Sequence, residues 1–315
     1  MFDGVKELID NSNSIYIVAH ENPDGDAIGS TFSTYLGLKQ LGKNVKVLMK
    51  RCSDSFKFLP HIYDAVQNVD KLHYDLLICV DSSDKSRLDI SDDDFTKAKS
   101  VLMLDHHKKV APYGDINCID ETIPAACEII YNFLIHIGVE INKEIATYLY
   151  TGIMTDTGSF NYSSTKPSTL RIAANLIETG VNFSDICKKL NDTIREEKLK
   201  LIARSIDNME VYFDGKFRYT YVDYDTLQQL GIDDEDAEGM TNYLRMVEGT
   251  EIAVYVRGKS DGTSKVSMRS SGNIDVSKIA ISFGGGGHER AAGYTIKGNF
   301  AEEKAKLIKM VEVML

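Results

Sequence analysis

Short apolar, β-branched runs recur through the first half of the chain, with stretches of helical spacing between them. Residues 14–20 (SIYIVAH), 44–49 (NVKVLM), 74–81 (YDLLICVD) and 100–105 (SVLMLD) are such runs. A strand that reads as a near-continuous apolar segment is buried on both faces, which is what a parallel sheet with helical crossovers requires. Helical patterns occupy 27–41, 124–137, 143–154, 167–178 and 183–190. The first part of the chain is therefore expected to be an α/β domain, a parallel sheet with helices on both faces. Near residue 190 the texture changes. A charged helix is expected at 195–208, then a hairpin at 211–219 turning at Asp214-Gly215. Strands at 251–257, 265–270 and 294–297 and a closing helix from Phe300 complete a smaller mixed α/β domain. The expected organisation is a first domain at 1–190, a helical linker at 191–208 and a second domain at 209–315, as a length of 315 residues allows.

Composition narrows the function classes. With 43% hydrophobic and 26% charged residues the chain is ordinary globular material. A net charge of −11 is a poor match for long duplex DNA, which is held through basic surfaces. The acid is unevenly placed: Asp92-Asp93-Asp94 and the run at 233–236 read as solvated loops or helix starts. From Met240 onward 11 lysines and arginines face 8 acids, so that portion can still receive an anion. No apolar stretch approaches a membrane span, and the first residues lack a signal-peptide pattern. The cytoplasm is the expected compartment. The five cysteines (Cys52, Cys79, Cys118, Cys127, Cys187) are scattered, without CxxC spacing, and read as reduced thiols.

Three of the strand-like runs end in ionisable residues. The first leads into His20, Asp24 and Asp26 (HENPDGDAIGS), the third into Asp81, and the fourth into Asp105-His106-His107. Ligands of open α/β sheets bind beyond the carboxyl ends of the strands. Carboxylates and imidazoles gathered there repel one another unless a cation sits among them. A fourth element, residues 155–160 (TDTGSF), brings Asp156 at the end of an apolar helix. An EF-hand is excluded, because the later ligands and the Glu at position 12 are missing. Imidazole donors admit manganese, iron, cobalt or zinc more readily than magnesium. The donors are too numerous for one tetrahedral zinc. They suit two divalent ions bridged by a carboxylate, a pair that supplies hydroxide at neutral pH and clamps the oxygens of an in-line displacement at phosphorus.

These blocks, in this order, resemble the DHH phosphoesterase superfamily, named for the triplet that stands here as Asp105-His106-His107. Residues 284–293 (GGGGHERAAG) are similar to the glycine-rich signature of the DHHA1 domain. The resemblance covers essentially the whole chain and is closest in layout to the stand-alone nanoRNase and 3′-phosphoadenosine 5′-phosphate (pAp) phosphatase group. It implies two Mn2+ ions, one held by His20, Asp24 and Asp81, the other by Asp26, Asp81, His106 and Asp156. It also implies His107 beside the scissile phosphate and Asp105 orienting an imidazole. In the second domain it implies substrate binding by Gly285, Gly286, Gly287 and His288, with Arg269 at a position associated with phosphate. Glycines there let backbone amides approach an anion; no Gly-Lys-Ser/Thr follows, so the block is not a P-loop. Arg290 adds a donor outside the signature, and Arg87 is a weaker phosphate candidate.

The expected activity is hydrolysis of very short RNA such as nanoRNA and pApA to mononucleotides, and dephosphorylation of pAp. The competing reading is a cyclic di-AMP or pApA phosphodiesterase, which the motifs do not separate. A non-catalytic nucleotide sensor has little use for a bridging Asp81. The expected partners are short RNA or nucleotide substrates, with no membrane and no long duplex DNA, and a homodimer is implied by the resemblance. The chain has 16 Tyr and 12 Phe but no Trp. Aromatics hold single strands by stacking, yet the sequence singles out none of these rings.

Overall fold

The computed structural model describes residues 1–107, 111–232, 237–272 and 274–315. The acidic run at 233–236 lies outside the described residues. The chain forms two compact units, Met1–Thr193 and Ile194–Leu315.

The first unit runs α1 (Val5–Asp10), β1 (Ser14–Val18), α2 (Gly25–Gln40), β2 (Asn44–Leu48), β3 (Tyr74–Val80), α3 (Asp92–Thr96), β4 (Ala98–Asp105), β5 (Ile116–Ile119), α4 (Ala126–His136), α5 (Lys143–Asp156), α6 (Pro167–Glu178) and α7 (Phe183–Cys187). Its five strands are ordered β2-β1-β3-β4-β5 and are parallel at every pairing. Successive residues of a strand point to opposite faces, and both faces are covered here. Ile15, Ile17, Ile78 and Leu104 pack with Ile28 and Phe32 of α2, Phe133 of α4 and Leu149 of α5. Tyr16, Val18, Leu77 and Cys79 pack on the other side with Val66, Leu88 and Phe95 of α3. That alternation of buried residues is why β1 and β3 read as continuous apolar runs.

The strand β5 was not expected from sequence. It has four residues, only Cys118 of them fully buried, and too little apolar pattern to stand out from a loop. Helix α2 is buried along most of its length. It crosses α5 so closely that a methyl group on Gly29 would lie 2.6 Å from the Tyr148 carbonyl oxygen and 3.2 Å from the Gly152 Cα. Strand β1 pairs with β2 on one side and β3 on the other, so the chain's winding reverses between β1 and β3. That switch point is where an open α/β sheet leaves a crevice at its carboxyl edge.

The second unit runs α8 (Glu196–Asp207), β6 (Glu210–Tyr212), β7 (Phe217–Val222), α9 (Tyr224–Gln229), α10 (Met240–Arg245), β8 (Ile252–Gly258), β9 (Ser264–Ser270), α11 (Ser277–Ser282), β10 (Gly286–His288), β11 (Ala291–Ile296) and α12 (Phe300–Met314). The mixed sheet is ordered β10-β11-β9-β8-β7-β6; β7 and β8 are parallel and the other pairs antiparallel. Phe213, Asp214 and Gly215 turn the β6–β7 hairpin with φ of 51°, 53° and 87°. Residues 191–208, expected as a connector, divide between the units. Leu201 and Ile202 of α8 join Val222, Met240 and Tyr255 in a core of the second unit. Helices α9, α10 and α11 have six residues each, too short for a helical period to show in sequence. Among the described residues no helix is long and apolar enough to cross a membrane, and all five cysteines are free.

Candidate metal centre

Strand ends and helix ends of the first unit deliver the ionisable side chains. His20 and Asp24 follow β1. Asp24 caps α2, its Oδ1 accepting from the backbone N–H groups of Asp26 (3.1 Å) and Ala27 (3.0 Å), as an N-cap aspartate does. Asp26 stands in the first turn of α2. Asp81 follows β3, Asp105 ends β4, His106 and His107 come next, and Asp156 is the last residue of α5. Asn22 and Asp81 both hold φ at 51°, a left-handed backbone that costs a non-glycine residue free energy and collects at functional sites.

Seven of these residues converge. Donor atoms of His20, Asp24 and Asp81 lie within 4.8 Å of one another, as do those of Asp26, His106 and Asp156, and those of Asp81, His106 and His107. His106 Nε2 sits 3.4 Å from Asp156 Oδ2, 3.5 Å from Asp81 Oδ1 and 3.7 Å from Asp26 Oδ2. Its other nitrogen, Nδ1, is 3.3 Å from the Ile123 carbonyl oxygen. A hydrogen bond there puts the proton on Nδ1 and leaves Nε2 as the free donor atom. Asp105, fully buried, accepts through Oδ1 from the His106 N–H (2.9 Å) and from His107 Nδ1 (2.8 Å). It contacts the centre through the two histidines.

Backbone groups that carry no sequence signal complete the cluster. The amides of Ala126 and Cys127, at the start of α4, donate to Asp26 Oδ2 (2.5 Å) and Oδ1 (2.9 Å). A helix N-terminus favours a negative charge. Glycine makes the approach possible: a methyl on Gly152 would lie 2.9 Å from Asp26 Oδ1 and would also strike the Cys127 sulfur. A methyl on Gly25 would collide with the Thr155 side chain. Gly25, Gly29 and Gly152 thus let α2 meet α5 closely enough to set Asp26 beside Asp156.

Without a cation this arrangement is electrostatically costly. Burial pushes the Asp26 carboxyl well above its ordinary range, and the charges of Asp81 and Asp156 add to the effect. Burial, with Asp81 beside it and against the pull of His106, raises Asp156 to about 7. Burial opposes ionisation of Asp81 as well, but His106, His107 and His20 outweigh it and hold that carboxyl low. Burial likewise opposes protonation of His106, yet the surrounding carboxylates raise it to about 10. The bond to Asp105 raises His107. Asp81 Oδ1 is buried with no hydrogen-bond partner among the described residues. Two imidazole nitrogens stand 3.5 Å from it, and a buried carboxylate oxygen left without a hydrogen bond costs free energy that a coordinated cation removes. The donor set therefore fits divalent metal.

The candidate substrate residues of the second unit also share a surface. His288 lies opposite Ala291 and Ala291 opposite Arg269 across β10, β11 and β9. Directly paired residues point to the same face, so His288 and Arg269 flank a small alanine at a strand-to-strand separation of roughly 10 Å. The glycine-rich block forms an edge strand rather than an open loop. Gly287, at φ 141°, has no room for a side chain: a methyl would lie 2.5 Å from the Ala291 carbonyl oxygen. Gly285 is packed against Gly293 and Tyr294 in the same way, whereas Gly286 has nothing within 4 Å of its missing side chain. Two of these glycines are thus demanded by the packing of the hairpin, whereas Gly286, paired with Gly293 across the ladder, has open space where a side chain would be. Arg87 is exposed in the loop after β3, and its carbonyl oxygen accepts from the Glu21 N–H at 2.7 Å.

Comparison with known proteins bears on the chemistry. The model of the DHH family, N-terminal domain, matches residues 14–153, and that of the DHHA1 domain matches residues 214–315. The chain is 33% identical over 286 residues to the bifunctional oligoribonuclease and PAP phosphatase NrnA of Thermus thermophilus, covering 90% of this chain and 84% of that protein. An exopolyphosphatase-related protein from Bacteroides fragilis superposes with a TM-score of 0.90 at 26% identity, over 98% of this chain and 94% of that one. RecJ from Thermus thermophilus in complex with Mn2+ shares the fold at a TM-score of 0.57 and 14% identity, over 99% of this chain and 55% of RecJ. With both domain models matched in order and a close relative spanning nine-tenths of its length, the chain belongs to the DHH family of phosphoesterases and is a hydrolase carrying a DHHA1 domain.

Proposed function

We propose that the chain hydrolyses very short oligonucleotides to mononucleotides and removes the 3′-phosphate of pAp, using two divalent ions, most readily Mn2+. The observation that carries this reading is the place of Asp81, a buried carboxylate with donor neighbours on both sides of it. His20, Asp24 and Asp81 would hold one ion, and Asp26, Asp81, His106 and Asp156 would hold the other. A bound pair of this kind lowers the pKa of water and neutralises charge on a phosphoryl group. The protein's own side chains do the rest. Asp105 keeps a proton on His107 Nδ1 and raises the basicity of the ring, which favours the protonated form, whose Nε2–H can donate to a phosphoryl oxygen. Ile123 keeps His106 in the tautomer that ligates through Nε2.

In the second unit, His288 and Arg269 supply donors for a further phosphate, and the Gly286 amide adds a backbone donor. The substrate class is supported by the names of relatives such as the oligoribonuclease and PAP phosphatase of Thermus thermophilus. Product release from pAp, pApA, cyclic di-AMP and RNA of two to ten and twenty nucleotides, with Mn2+ and after EDTA, tests it. The expected result is metal-dependent release of phosphate from pAp and of mononucleotides from pApA, with turnover falling steeply as RNA lengthens. Turnover of cyclic di-AMP alone, or of the longest RNA as fast as of a dinucleotide, would overturn the proposal.

A further inference from the structure

We propose that Tyr162, lying on Gly158, is a nucleobase-binding platform beside the metal centre; this deepens the reading above by naming what holds the base. Six residues after Asp156, the chain has turned back on itself: the Tyr162 N–H donates to the Thr157 carbonyl oxygen at 3.0 Å. Gly158, Ser159 and Phe160 all have positive φ, at 56°, 58° and 66°. A left-handed run containing two non-glycine residues is strained and persists only where its surroundings over-determine it. They do so here. Ser159 N–H donates to the Met154 carbonyl, Phe160 N–H to Thr157 Oγ1 and Thr165 N–H to the Tyr162 carbonyl. Asn161 Nδ2 donates to the Gly158 carbonyl and Asn191 Nδ2 to Ser159 Oγ.

The loop sends its two aromatics in opposite directions. Phe160 packs inward against the core, its ring centroid 6.0 Å from that of Tyr150. Tyr162 stays 56% exposed. Its ring is supported from beneath by Gly158, where a methyl would come within 2.5 Å of the Tyr162 Cε1 and Cζ atoms. A large ring held by a hydrogen-bonded loop offers contact area at little entropic cost. Its backbone N–H is bonded to the carbonyl of Thr157, the residue that follows Asp156, so the loop keeps Tyr162 close in the fold to that member of the cluster. Every base has a flat π-face, so stacking there binds nucleotides with little sequence preference.

Binding of adenosine 5′-monophosphate, measured by titration calorimetry with Mn2+ present, tests the platform directly. Tyr162→Ala is expected to weaken AMP at least about five-fold and to raise KM for pApA similarly, with kcat little changed, whereas Tyr162→Phe stays near wild type. An abasic dinucleotide should be cleaved equally by wild type and Tyr162→Ala. Gly158→Ala, which lifts the ring, should reproduce the loss of AMP affinity. The Mn2+-induced rise in Tm, unchanged in Tyr162→Ala, reports that the metal centre is intact. AMP binding by Tyr162→Ala as tight as by wild type, or an equal loss on the abasic substrate, would overturn the platform. Wild-type protein that binds AMP through Tyr162 but does not cleave pApA would leave the platform standing and overturn the oligonucleotide reading instead.

Discussion

Metal removal is the perturbation whose size follows most directly from the site. Asp26, Asp81 and Asp156 are gathered in a unit of 193 residues with His106 among them. A ligand present at a hundred times its Kd stabilises the folded state by about 2.7 kcal/mol per site. For a unit of this size each kcal/mol moves Tm by roughly 2–4 °C, so two occupied sites raise Tm by about 10–20 °C over the protein in EDTA. The pH dependence has a definite sign. Asp26 and Asp156 have folded pKa values above their ordinary ones. Their contribution to the metal-free protein is full below the ordinary carboxylate range and is lost as pH rises, for Asp156 through about 7. Asp81, held low, contributes in the opposite direction, with stability present above its ordinary value and lost in acid. Between pH 6 and pH 8 the metal-free protein therefore loses stability at this cluster, while proton competition for the metal weakens. The Mn2+-induced shift in Tm, followed by calorimetry or circular dichroism, is expected to be larger at pH 8 than at pH 6. Equal Tm with Mn2+ and EDTA, or a shift that shrinks as pH rises, refutes the reasoning.

Asp81→Ala should lower kcat by roughly three orders of magnitude or more while the protein in EDTA still folds and unfolds cooperatively; full turnover by this variant would remove Asp81 from the centre. Gly152→Ala should destabilise the first unit by about 1–3 kcal/mol through overpacking. Adding Cys127→Ala should restore Tm without restoring Mn2+ affinity, because the new methyl still presses on Asp26; calorimetric Mn2+ stoichiometry reads the difference. His288→Ala should raise KM for pApA more than it lowers kcat, and an unchanged KM would give His288 a structural role.

Much of the centre was legible in the chain because its side chains sit at places that local pattern reveals. Apolar runs mark β1, β3 and β4, and His20, Asp81 and Asp105 stand where those runs stop. The end of the long apolar helix α5 likewise points to Asp156. Side-chain chemistry at strand and helix ends is a one-dimensional signal, and it was enough to name the convergent donors and the α/β class. The same is true of Asp214-Gly215, whose turn chemistry announces the β6–β7 hairpin.

Other features depend on contacts between residues far apart in sequence. The amides of Ala126 and Cys127 hold Asp26 across a hundred positions, and a peptide N–H looks the same at every residue. Gly152 reads as an unfavourable helix residue until α2 is laid against it. Gly285 and Gly287 suggest a phosphate loop in sequence, but β11 lies where their side chains would be, so packing alone explains their absence. Tyr162 resembles any other tyrosine until Gly158 is found beneath its ring. Sequence by itself determined which ionisable groups stand at the ends of the strands and of α5, because strand periodicity and side-chain chemistry are local properties. Only the tertiary structure decided how those groups are held, because close approach of backbones and burial of charge arise when distant segments meet.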